Sequence, residues 1–127
     1  MMSARGRTPV AVLVRRAAIA AFLGGVAVVT LLSLIPAPSL PGVGLWDKLQ
    51  HALAYLALAF TGAIAFPDRR RHGWLCLGLL VLGASLEGLQ SLIPGRFGSV
   101  EDMLANAVGV GLGLALARIF NAGLRFG

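Results

Sequence analysis

The sequence predicts an all-α integral membrane protein, a bundle of four transmembrane helices with both termini in the cytoplasm. Three observations carry that expectation. Of 127 residues, 57% are hydrophobic and 13% are charged, where a soluble domain carries about 25% charge; mean hydropathy is +0.85. Four apolar runs are each long enough, at ~20 residues, to cross a bilayer as a helix, and none shows the period-two alternation of a strand. The Lys and Arg residues sit in short flanks between these runs and favour one side, which orients helices. A chain of this length holds one domain.

The first run, 17–35, follows Arg5, Arg7, Arg15 and Arg16 and stops at "PAPSLPG". Residues 1–16 thus read as a basic cytoplasmic tail and 17–127 as the membrane domain. A cleaved signal peptide is the competing reading, but the run exceeds the ~7–15 residues of a signal core and its flanking prolines suit processing poorly. The second span is expected at 48–66, the third at 73–93 and the fourth at 101–120. Pro36, Pro67 and Pro94 punctuate their ends, since proline cannot continue a helix. In this topology Arg5, Arg7, Arg15, Arg16, Arg69, Arg70, Arg71, Arg118 and Arg125 share one side, with only Lys48 and Arg96 opposite. The positive-inside rule therefore puts the termini and the "PDRRRH" loop inside, with Trp46 and Trp74 at opposite interfaces. The net charge of +6 is accounted for by orientation, and no nucleic-acid partner is expected. The single cysteine, Cys76, excludes an intramolecular disulfide and a paired-cysteine metal site.

Polar residues inside the runs point to a site. Asp47, His51 and Tyr55 fall at i, i+4, i+8, on one helical face. Gln90 shares a face with Glu87 at i+3, and Asn106 with Asp102 at i+4. On the expected spans, Glu87 and Asn106 lie ~9–10 Å deep from the outer side. Facing lipid these groups would be costly; facing one another they share protons and hydrogen bonds. The last three helices are therefore expected to enclose a polar pocket open to the outside, with Lys48, Arg96 and His51 as partners for Glu87. Capping competes for Asp102, within "SVED", and for Asp47; it does not account for Glu87 or Asn106, deep in their helices, where a structural network is the rival. No metal is expected, because no second histidine stands near His51, and no cofactor is implied. On the fourth helix Ala105, Gly109, Gly113 and Ala117 form a small-residue seam, expected to pack within the chain. The Gly109/Gly113 face and a second face, Ala107, Gly111 and Ala115, leave a homodimer open.

These residues in this order resemble the VanZ-like membrane protein family: "DKLQHALAYLALAF", then "EGLQSLIPGR", then "SVEDMLANAVGVGLG". The resemblance implies a small multi-pass protein of the bacterial inner membrane, related to one associated with teicoplanin resistance. It carries the family pattern onto Asp47, Lys48, His51, Tyr55, Glu87, Gln90, Arg96, Asp102, Asn106 and Gly109. The expected ligand is the polar head of a cell-envelope amphiphile: a lipid-linked precursor, a phospholipid or a lipoglycopeptide. A membrane enzyme using Glu87 or His51 as general base is the alternative, weakened because Ser91 and Ser99 lack an assigned base. Transport is a third reading, weakened because no charged trail continues inward; a structural partner protein is a fourth.

Overall fold

The first helix starts well before its apolar run. Thr8 Oγ1 accepts a hydrogen bond from the Ala11 amide at 3.3 Å and Pro9 occupies the first helical turn, where its missing N–H costs nothing. In the computed structural model, which describes residues 8–35, 44–95 and 97–126 and all their side chains save those of 44–46, 125 and 126, the elements are α1 (Pro9–Leu34), α2 (Gly44–Ala65), α3 (Arg69–Gln90) and α4 (Val100–Phe126). There is no strand among the described residues. Arg96, Trp46 and the 36–43 segment, to which the sequence reading gave roles, lie outside that description.

Three helices are long and apolar enough to cross a membrane: α1, α3 and α4. The second is not among them. Its first turns carry Asp47, Lys48, Gln50 and His51, and its environment explains the difference. α2 packs on each of the other three helices, most extensively on α4, and from Leu58 onward it is largely buried. Its neighbours instead turn leucines and valines outward, among them Leu13, Leu23 and Leu31 on α1 and Leu104, Val108, Leu112 and Ile119 on α4. So broad an exposed apolar belt suits lipid, since soluble monomers rarely expose large contiguous apolar patches.

The core is built from small residues. Ala59, Ala63, Ala65 and Ala117 are fully enclosed, with Phe22 packed edge-on to Phe66 and Phe60 against Phe120. The α2–α4 contact requires glycine. A Cβ on Gly109 would strike the Ala52 carbonyl, and one on Gly113 would lie 2.9 Å from Ala59 Cβ. The Gly109/Gly113 face packs on α2 of the same chain, as the seam was expected to do. Gly111 meets nothing within 4 Å, and Ala107, Gly111 and Ala115 are exposed.

The C-terminal end of α2 leaves carbonyls that no helical N–H can reach. Side chains from the other three helices reach them. Arg15 Nε of α1 donates to Ala65 O at 2.9 Å, His72 Nε2 of α3 to Phe66 O at 3.1 Å, and Asn121 Nδ2 of α4 to Ala63 O at 3.3 Å. His72 is buried at 3% exposure, and its Nδ1 has no partner. Arg15 is thus a helical residue with a carbonyl to hold, which is why the basic segment is not simply a tail.

Candidate functional site

At its other end α2 meets α3 and α4 through acids, amides and an imidazole. α3 ends at Gln90, short of the expected Ile93, and closes through a turn in which Leu92 N donates to Leu89 O and Ile93 N to Gln90 O. Glu87 therefore lies about one turn, ~4.5 Å at 1.5 Å per residue, from the end of its helix. That is shallower than the longer span implied. The loop that follows turns at Gly95, whose φ of 80° lies in the left-handed region open to glycine.

Each polar residue has a traceable placement. Glu87 Oε2 accepts from the Ser99 amide at 3.0 Å, and Ser99 Oγ accepts from the Asp102 amide at 3.0 Å. A capping box would have Asp102 reach back to the Ser99 N–H. That donor is already taken by Glu87, so the carboxylate of α3 caps α4 from across the bundle. Capping does account for Glu87, contrary to expectation, and it releases the Asp102 side chain. Gln90 Nε2 donates to Ser33 O of α1 at 3.1 Å. His51 Nδ1 stands 3.1 Å from Asn106 Oδ1, so the ring donates there and turns Nε2 toward Asp102 Oδ2 at 4.0 Å. Glu87 Oε1 lies 3.8 Å from His51 Nδ1.

Lys48 does not join this group. Its ammonium pairs with Glu101, a residue the sequence reading passed over, so it is not a partner of Glu87. Both members are substantially exposed, and such pairs contribute little. Asp47, His51, Tyr55, Glu87, Gln90 and Asn106 line a cavity of about 340 Å³. Gln50 and Ser33 add polar surface to it, while Val29, Leu32, Ala54 and Leu86 supply an apolar wall. Asp102 sits behind His51 and is not in that lining. Gly83 was also missed: a Cβ there would come within 2.9 Å of Asn106 Nδ2 and 3.2 Å of the Tyr55 hydroxyl. Its signal was its position, one turn before Glu87 on the same face.

Several of these groups are under-satisfied. The Tyr55 side chain is 2% exposed, and its hydroxyl makes no hydrogen bond among the described residues. Asp102 is buried and its carboxylate accepts none there either. Both keep hydrogen-bonding capacity that the fold does not use, whereas the one buried side-chain atom without a partner among the described residues is His72 Nδ1, at the opposite end of α2. His51 has no second histidine nearby, but carboxylate oxygens are: one ligand atom each from Asp47, His51 and Asp102 falls within 4.8 Å of the others. No nucleophile–base pair emerges, since Ser91 Oγ donates to Gly88 O and Ser99 Oγ serves the cap.

No curated protein and no solved structure matches the chain. A family does. The VanZ/LLP1 profile matches residues 10–121, from the first turns of α1 through most of α4, and so takes in both ends of α2 and every described residue of the polar cluster: the chain belongs to the VanZ/LLP1 family.

Proposed function

We propose that the chain is a four-span protein of the bacterial inner membrane, with residues 1–16 and the C-terminus inside, whose outward-facing pocket binds the polar head of a cell-envelope amphiphile. The observation that carries this reading is the cavity itself. Its lining combines Val29, Leu32, Ala54 and Leu86 with Asp47, Gln50, His51, Tyr55, Glu87 and Gln90, which suits a molecule with a tail and a head. Family membership fits a role in the envelope, including glycopeptide resistance. The head favoured is one rich in hydroxyl or amine donors, because the lining offers carboxylate, amide and phenol acceptors and no lysine or arginine among the described residues. Lys48 is engaged by Glu101 and is not in the lining. A nucleic-acid partner has no place in such a site.

The test is mass spectrometry of amphiphiles retained by protein purified from native membranes into nanodiscs. Wild type is expected to retain a hydroxyl- or amine-bearing amphiphile. Tyr55→Phe removes one hydroxyl that holds no hydrogen bond among the described residues, so retention should drop at unchanged melting temperature. Retention of nothing by wild type, or equal retention by the variant, defeats the reading.

A further inference from the structure

We propose that Asp47, His51 and Asp102 form a binding site for a divalent transition-metal ion such as Zn2+, with an open coordination position toward the cavity. The inference goes beyond head-group binding and stands independently of it.

The geometry around the imidazole is the first support. Nδ1 lies 3.1 Å from Asn106 Oδ1, and in the tautomer that donates there Nε2 carries a lone pair. A hydrogen bond on the far nitrogen is the usual orienting device for a metal-bound histidine. That lone pair faces a second acceptor, Asp102 Oδ2, at 4.0 Å. At 4.0 Å the two atoms are too far apart for a direct hydrogen bond, and an ion bound by both would sit between them.

The second support is the state of Asp102. Its side chain is only 9% exposed and accepts no hydrogen bond among the described residues, because the helix-start amide it would cap is held by Glu87. Asp47 completes a triad whose ligand atoms lie within 4.8 Å of one another. With bonds of about 2.0–2.2 Å, tetrahedral neighbours sit ~3.3 Å apart, so the triad must close by about 1.5 Å. Asp47, in the first turn of α2 and half-buried, is placed to make that movement. One imidazole and two carboxylates make an N/O set suited to zinc, and three protein ligands leave a fourth position for an oxygen from the cavity.

The experiment uses untagged, full-length protein in nanodiscs, stripped with chelator and titrated with Zn2+ against a competing indicator. Wild type should bind one ion per chain in the micromolar range or tighter. Asp102→Asn keeps the shape and the backbone cap, and should weaken binding roughly tenfold or more. Asp47→Asn, outside the packed core, should do the same without touching the fold, while Glu101→Gln should leave binding unchanged. Absence of saturable binding in folded wild type, or full affinity in both Asn variants, overturns the site. Because Zn2+ alone is the probe, a failure here is distinct from a failure to retain an amphiphile.

Discussion

At its C-terminal end α2 hands backbone carbonyls to Arg15, His72 and Asn121, each from a different helix. At its N-terminal end the polar side chains meet mostly one another, around a cavity, and the Tyr55 hydroxyl and the Asp102 carboxylate hold no hydrogen bond among the described residues. The first arrangement satisfies groups that any helix end leaves behind; it is glue. The second leaves hydrogen-bonding capacity beside a cavity, which a ligand can use. Residue type alone does not separate the two, since each end carries a histidine and an amide. What separates them is where the hydrogen bonds terminate.

The largest expected effect is all-or-none and fixes which end faces out. In a Cys76→Ser background, a cysteine at Leu92, 79% exposed, should label with an impermeant maleimide from outside, and one at Arg70 should not. The reverse pattern would put the cavity inside. Gly98 is a poor probe site because a side chain there would strike the Glu87 carbonyl.

Next in size is the seam that holds both ends of α2 in register. Gly109→Val drives a side chain into the Ala52 carbonyl, and overpacking of this kind costs ~1–3 kcal/mol or more. Loss of folded protein in detergent is expected, read by size-exclusion chromatography; normal yield would mean that α4 can shift away.

At the glue end, Arg15→Met keeps the aliphatic stem and orphans the Ala65 carbonyl, a loss of ~1–3 kcal/mol that thermal unfolding should register. Zn2+ affinity should not follow it. A matching loss at both sites would show that the two ends are one network.

The smallest effect sharpens the contrast within a single residue. Glu87→Gln retains an oxygen for the Ser99 amide and should change stability by less than ~1 kcal/mol, whereas Glu87→Leu orphans that amide at ~1–3 kcal/mol. Equal destabilisation by the two would assign the residue's weight to its charge rather than to the cap.

Much of this was legible in sequence, and the limits have physical causes. The four helices follow from apolar runs and prolines, because a helix satisfies its own backbone and needs no distant partner. The shared face of Asp47, His51 and Tyr55 follows from the i+4 rule, for the same local reason. The early start of α1 had a local signal in Thr8 and Pro9, obscured because Arg15 and Arg16 look like flanks until a carbonyl is found for one of them. Glu87 reaching Ser99, Lys48 choosing Glu101 and Gln90 finding Ser33 were not legible. Each joins two helices through a turn whose geometry no spacing rule supplies.

The polarity of α2 has a consequence for biogenesis. If α2 spans the membrane, its polar first turns favour settling it against a partner, and here the main partner, α4, is synthesised last. In a four-span arrangement the nascent chain therefore cannot commit its helices one by one in order of synthesis. α2 and α3 are left waiting on the seam that Gly109 and Gly113 open. A nascent chain halted before Val100 should leave α2 extractable by alkaline carbonate or reachable by protease, and extension through Phe126 should bury it.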